Sequence, residues 1–258
     1  ADGLRSVVAR RAGLARTLPV FPRRVALVAH YAHVAGIGAH GEMHVERHGY
    51  VGLADVGGGR TNVALVVPVR RAQGLAGDPA GFLTRWLAGV PHLAARFAHA
   101  ERVTPVLATG PFASAARCGW QPGLALVGDA ADFFDPFTGE GIYAALQGAQ
   151  LLAPFAAAAA RAPRGAASPL MGYETARRAA FAGKWRVERL IGLSVAMPAL
   201  LDRAASVLED RRDLADLLVG VAGDFVPPRE VLHPRFWSSL LFPRRARRSR
   251  PAAPALPV

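Results

Sequence analysis

Between positions 123 and 152 the sequence reads GLALVGDAADFFDPFTGEGIYAALQGAQLL, and this stretch places carboxylates and glycines at short spacing around a change of hydrophobic period. Asp129 follows the apolar run at 124–127, so its carboxylate falls at the carboxyl end of a strand, where open α/β sheets take their ligands. Oxygens there can accept hydrogen bonds from sugar or polyol hydroxyls. Gly139 and Gly141 carry no side chain and let the backbone come close to a flat ring system. From Ile142 the apolar residues recur at helical spacing through Ala145, Leu146, Ala149 and Leu152. The N–H groups that open such a helix, together with its dipole, stabilise negative charge. The chemistry suited to these residues is the binding of a large, polar, ring-bearing molecule.

The elements that must position these groups follow from the same stretch. Residues 124–127 read as a buried parallel strand, because the run is continuously apolar. Gly128 ends it. An acidic turn with Asp132, Asp135 and Pro136 follows, then the loop Thr138-Gly139-Glu140-Gly141, then the helix. A second motif opens the chain, Ala1-Asp2-Gly3-Leu4-Arg5-Ser6-Val7-Val8. Asp2-Gly3 forms a turn there, with Asp2 free to bond backbone or ligand hydroxyls, and Ser6 caps the helix that starts at Val7.

The two motifs together resemble the FAD-dependent aromatic hydroxylase and geranylgeranyl reductase superfamily. GDAA followed by PxTGEGI is similar to its second flavin motif, and TGEGI points to the reductase branch. The first eight residues resemble its ADGxxSxVR motif. The resemblance covers the chain to about Leu232. It implies a mixed α/β fold: the remainder of a Rossmann-like FAD domain in residues 1–20 and 105–163, and an antiparallel sheet for substrate in 21–104. Helices in 164–235 and a basic, proline-rich tail in 236–258 complete the expected layout. It implies that Asp2, Gly3, Gly128, Asp129, Pro136, Thr138, Gly139, Glu140, Gly141 and Ile142 contact FAD, with NAD(P)H as electron donor. The superfamily opens with a strand, a GxGxxG loop and a helix that grips the pyrophosphate. None precedes Asp2, so the resemblance implies that this chain is the carboxyl-terminal portion of a longer protein. The reaction expected is reduction of a hydrophobic, isoprenoid-like or polyene-like substrate, with aromatic hydroxylation using oxygen as the alternative. The halogenase branch ranks below these two, because its Trp-x-Trp-x-Ile-Pro motif is not in the sequence. No catalytic side chain is assigned.

Elsewhere the chain punctuates itself. Residues 25–34, 43–47, 50–56 and 61–69 read as strands, the second alternating apolar and polar. Gly57-Gly58-Gly59 joins the last two as a hairpin. Gly36-Ile37-Gly38-Ala39-His40-Gly41 spells GxGxxG, but period-two sequence follows it instead of a helix, so it reads as a hairpin loop. His44 and His48 are expected on one strand face, and His30 and His33 on opposite faces. Without accompanying cysteines they read as strand and loop histidines and not as metal ligands. Residues 79–100 read as a helix started by Asp78-Pro79. The alanine-rich run at 151–162 extends the motif helix to about the length of a membrane span, ~20 residues. Gln147 and Gln150 make it a packed core helix instead. Residues 190–201 read as a buried helix kinked at Pro198, and 202–220 as an amphipathic one.

Composition bounds the remaining classes. With 258 residues, 52% of them hydrophobic and 19% charged, the chain is globular. Its one cysteine, Cys118, allows no internal disulfide and fits a reducing, cytoplasmic setting. The net charge of +12 invites a nucleic-acid or anionic-membrane partner. However, Lys184 is the sole lysine, and the arginines are spread along an alanine-rich chain. The dense cluster at 244–250 reads as a solvated tail, leaving peripheral membrane contact open and no specific nucleic acid. The competing readings are a non-catalytic basic binding protein and an inactive fragment. The oligomeric state is not legible.

Overall fold

The computed structural model describes residues 1–17, 23–112, 114–163, 168–195 and 197–241. It divides into two compact units, Ala1–Pro198 and Ala199–Val258. In the first unit Ser6 caps α1 (Val7–Arg11), its hydroxyl accepting from the Ala9 N–H at 2.8 Å. The Asp2 carboxylate accepts from the N–H groups of Val7 and Val8. A short strand, β1 (Ala15–Thr17), follows.

The main sheet is antiparallel. It consists of β2 (Arg24–Ala32), β3 (Glu42–Glu46), β4 (Gly49–Asp55) and β5 (Arg60–Pro68), in the order β3-β4-β5-β2. Two short strands, β6 (Glu101–Arg102) and β7 (Leu107–Thr109), pair along the far edge of β2. The four long strands and the Gly57-Gly58-Gly59 hairpin between β4 and β5 are those expected. Residues 36–41 are a loop but not a hairpin. They connect β2 to β3, which are not neighbours, because β2 is zipped along its length to β5, from Arg24↔Pro68 to Ala32↔Arg60. His33 (φ 58°) lies past the end of β2, and His48 falls in the turn after β3, so neither takes the strand-face position expected.

Period-two alternation gives this sheet two different faces. On one, Leu27, Val51, Leu53, Val63, Leu65 and Val67 pack with Leu83, Leu87 and Leu93. Those leucines come from α2 (Pro79–Ala88) and α3 (Pro91–Phe97). Asp78 caps α2 by accepting from the Gly81 N–H at 2.7 Å. The single helix expected over 79–100 is two, because Pro91 disfavours helical backbone in the residue before it, and Val90 is extended there. Burying each of these aliphatic side chains stabilises the fold by roughly 1.5–3 kcal/mol. On the other face Tyr50 and Val66 pack with Phe112 and Val195, joined by Phe133 and Phe137 from the acidic turn.

The chain then forms β8 (Ser114–Ala116), β9 (Trp120–Gln121), β10 (Leu124–Ala125) and β11 (Asp132–Phe133). Strand β8 lies between β1 and β11, all antiparallel. The parallel strand expected at 124–127 is instead the second arm of the β9–β10 hairpin, half-buried. A tight turn at Pro122-Gly123 makes antiparallel pairing the local option, whereas parallel pairing needs a crossover of a dozen or more residues.

Helix α4 (Gly141–Arg161) then runs beside α5 (Leu170–Ser194). The packed core helix expected here is not what forms. Of α4's residues only Gly148 is buried, and Ile142 and Leu146 are 80% and 65% exposed. Helix α4 packs on Val127, Gly128 and α5, and nearly all of its side chains stay at least partly exposed. Among the described residues it is the one helix long and apolar enough, by length and composition, to cross a membrane.

The second unit is helical: α6 (Pro198–Asp210), α7 (Arg212–Ala222), α8 (Arg229–Leu232) and α9 (Pro234–Leu241). Val207, Leu214, Val221, Val231, Phe236 and Leu240 are buried. The kinked helix expected at 190–201 is a break. Helix α5 stops at Ser194 and Pro198 opens α6, since a residue without an N–H suits the first turn and not the interior. The helix expected at 202–220 is likewise split, at Arg211. The basic cluster at 244–250 lies outside the described residues.

Candidate functional site

A cleft of about 500 Å3 opens along the motif loop in the first unit. Gly3, Gly128, Asp129, Pro136, Thr138, Gly139, Glu140, Gly141 and Ile142 all line it. Of the residues expected to bind a ligand, Asp2 is the one the cleft does not include. Its carboxylate is exposed, and a hydrogen bond from Ser6, followed by those from the first N–H groups of α1, holds it below the usual carboxylate range.

Local geometry explains the shape. Gly128 turns the chain with φ +59°, and a Cβ there would stand 2.9 Å from the Ala145 Cβ of α4. Residues Pro136–Thr138 make a single 3-10 turn that Gly139 ends in the left-handed region, at φ +74°. The chain then enters α4 with Glu140 at the cap position, but no side chain caps the helix. Gly141 and Ile142 line the cleft, and their N–H groups, with that of Tyr143 behind them, therefore receive no cap from the Glu140 side chain. Asp129 stands beside them, one carboxylate oxygen 3.7 Å from where a Cβ on Gly141 would be. Among the described residues nothing hydrogen-bonds or ion-pairs with that carboxylate, and burial raises its pKa above the ordinary value.

The neighbouring acidic residues have different employment. Asp135 is gripped from the main sheet. The guanidinium of Arg24 in β2 and the hydroxyl of Tyr50 in β4 both donate to its carboxylate, and the Phe137 N–H adds a bond at 3.1 Å. Arg24 and Asp135 side chains are each 3% exposed. Burial, then the charge of Asp135, pushes the Tyr50 hydroxyl far above its ordinary pKa, so it keeps its proton and donates to Asp135. The second Arg24 nitrogen donates to the Gly192 carbonyl of α5 at 2.8 Å. One buried cation thus ties sheet, motif loop and α5 together.

Helix α5 supplies the opposite wall, and its site residues were not singled out from the sequence. Tyr173 donates to the Leu126 carbonyl at 2.8 Å. Arg177 pairs with Asp132 and Glu174 and lies 5.1 Å from the Trp185 ring centre. Burial pushes Asp132 up to about 6, with Arg177 opposing. Burial acts the same way on Glu174, but Arg178, the Gly119 N–H and Arg177 outweigh it and hold that carboxyl below its ordinary pKa. Lys184 is 6% exposed, pairs with Glu140 and lies 5.1 Å from the Tyr143 ring centre. Tyr173, Glu174, Arg177, Phe181, Lys184 and Val187 make one helical face that is buried although half of it is charged. The available signal was the sole lysine on the same helix as Tyr173.

No family model matches the sequence, and no curated protein does. Solved structures do match. The flavin-dependent brominase Bmp2 superposes with a TM-score of 0.69 at 18% identity, over 91% of this chain and 61% of its own. A geranylgeranyl bacteriochlorophyll reductase-like protein from Thermoplasma acidophilum gives 0.63 at 21% identity, over 85% and 53%. The halogenase PltM, in complex with FAD, gives 0.64 at 14% identity, over 93% and 52%. The chain shares its fold with these three proteins. It spans about half the length of the structures that share this flavoprotein fold. Halogenases, ranked lower on the missing tryptophan motif, are well represented among them.

The residues present fit the ring and polyol portion of a flavin on three observations. The cleft volume falls within the roughly 300–1,000 Å3 of small-molecule and cofactor sites. Its half-buried Asp129 carboxylate has no hydrogen-bond or ion-pair partner among the described residues, and a helix start stands beside it without a side-chain cap.

Proposed function

We propose that this chain is the flavin-ring and substrate portion of an FAD-dependent oxidoreductase of the geranylgeranyl reductase-like type. Its substrate would be hydrophobic, isoprenoid or polyene-like, and its electron donor NAD(P)H. The observation that carries the flavin reading is the convergence, in one cleft, of the unengaged Asp129 carboxylate and the uncapped amino end of α4. The TGEGI loop and the fold shared with a reductase-like protein support the branch.

Bound FAD supplies hydride-transfer chemistry; the protein's share is to hold it and tune its charge. Asp129 accepts from the ribityl or ribose hydroxyls. The N–H groups of Gly141 to Tyr143 donate to the negative edge of the ring, where the helix dipole favours charge. Phe133 and Phe134 bring aromatic surface to the cleft, suited to excluding water from a nonpolar substrate. Asp135, fully committed to Arg24 and Tyr50, takes no part beyond holding the loop.

A second reading, oxygen-dependent hydroxylation or halogenation of an aromatic substrate, draws support from the halogenases that share the fold. Two experiments test these readings. Titration with FAD, followed by flavin fluorescence, should show saturable binding that Asp129→Ala weakens at least tenfold. Full-length protein that purifies colourless and stays so with added FAD would refute the flavin assignment. Assays of reconstituted protein with isoprenoid and with aromatic substrates then separate the branches.

A further inference from the structure

The cap position of α4 is occupied unusually. At the other capped helices of this unit a side-chain oxygen turns back onto the helix: Ser6 accepts from Ala9, and Asp78 from Gly81. Glu140 holds the equivalent place at α4, with a carboxylate long enough to reach the same N–H groups, and it does not use it. Its carboxylate is instead drawn to the ammonium of Lys184 on α5. Both side chains are shielded, at 12% and 7% exposed, and both line the cleft. In a chain that otherwise uses arginine for every basic position, this one is a lysine. A compact point charge suits a single carboxylate, where a guanidinium brings a fork of five donors. The Tyr143 ring, 5.1 Å from the ammonium, fills the space beside it.

We propose that Lys184 is a positioning residue which, by holding Glu140, keeps that carboxylate off the amino end of α4 and so reserves the N–H groups of Gly141 to Tyr143 for a negatively charged ligand edge. Because the ligand is a flavin only under the reading above, this inference rests on that reading for the ligand's identity. The hold itself does not depend on it. A carboxylate released at this place would be a built-in competitor: it carries the same charge as the ligand edge and is tethered to the helix it would cap.

Two readouts test the inference apart from turnover. The first uses the sole lysine. An amine-selective acylating reagent, with Lys184 followed by peptide mass spectrometry, should modify the folded protein slowly and Glu140→Gln at least tenfold faster, with no flavin present. An unchanged rate in Glu140→Gln would overturn the hold. The second is FAD affinity. Lys184→Met, which keeps the aliphatic stem, should weaken it about tenfold, the scale of a lost charge-assisted hydrogen bond. Adding Glu140→Gln to Lys184→Met should restore affinity to within about threefold of the wild type, because an amide competes without charge. Recovery in the double variant is the result a merely structural role would not give, and a double variant as weak as Lys184→Met would overturn the proposal. Lys184→Arg serves as the folded control. If the wild type does not bind FAD but Glu140→Gln still exposes Lys184, the hold stands and the flavin assignment falls.

Discussion

Removing the carboxylate of Asp135 is expected to be among the costliest single changes in this protein, although the residue touches no ligand in the proposed scheme. Asp135→Ala leaves Arg24 buried at 3% exposure with its charge uncompensated, keeping only the Gly192 carbonyl, and strips Tyr50 of its acceptor. Breaking a buried pair by deleting one partner costs about 3–5 kcal/mol. For a domain of this size each kcal/mol moves the melting temperature by roughly 2–4 °C, so Asp135→Ala should melt about 6–20 °C lower. Tyr50→Phe removes one hydrogen bond to a charged group while preserving the ring contact with Phe137, and should cost less, about 1.5–3 kcal/mol. Replacing both charges, Arg24→Met with Asp135→Leu, should recover much of the loss, since well-packed apolar pairs often match a buried ion pair. Urea unfolding of wild type, these three variants and the single variants Arg24→Met and Asp135→Leu at pH 7, followed by circular dichroism, measures the series. A cost below about 1 kcal/mol for Asp135→Ala, or a double variant no better than the sum of its singles, would refute the claim that this pair joins sheet and loop.

Three further outcomes follow from single sites. Gly128→Val places a side chain within contact of Ala145 at a left-handed φ; it should cost at least about 1–3 kcal/mol and abolish FAD binding, read by melting and by fluorescence titration. Asp132 has its pKa raised from 3.8 to about 6 by burial. The folded state therefore holds the proton more tightly, its contribution is full below pH 4, and about 3 kcal/mol is lost as pH rises through 6. Asp132→Asn lacks that titration, so the stability difference between wild type and variant should shift in favour of Asn between pH 4 and 7. Glu42 is the opposite case, lowered from 4.5 to about 2 chiefly by its hydrogen bond to Arg96. Its contribution is present above pH 4.5 and disappears as pH falls through 2. Glu42→Gln should cost about 1 kcal/mol at pH 7, the scale of a partly solvated pair, and nothing at the acid end, by urea unfolding at each pH.

The parts legible in the sequence are those whose causes are local. Ser6 and Asp78 cap their helices because a short side chain reaches only its own neighbours. The alternation in β2 to β5 reports two environments one residue apart. The run at 124–127 was misread because an apolar stretch records burial and not the direction of its partner. The buried face of α5 was hidden for another reason: Glu174, Arg177 and Lys184 read as solvent-facing until their partners in other elements are known. Arg24 and Asp135 lie 111 positions apart, and nothing near either names the other. The motif residues are neighbours in sequence and line one cleft, whereas the wall that faces them comes from a helix with no such signature.

The two-faced sheet also works as a ruler. Sliding β2 by one residue against β5 would exchange its sides, thrusting a guanidinium among the leucines of the α2–α3 layer and taking from Asp135 its buried cation. Mispaired strands are thereby rejected on both sides at once, and the distance from the sheet to the acidic turn is measured out by backbone pairing alone. A chain that had closed in the wrong register would betray itself by a motif loop that never docks.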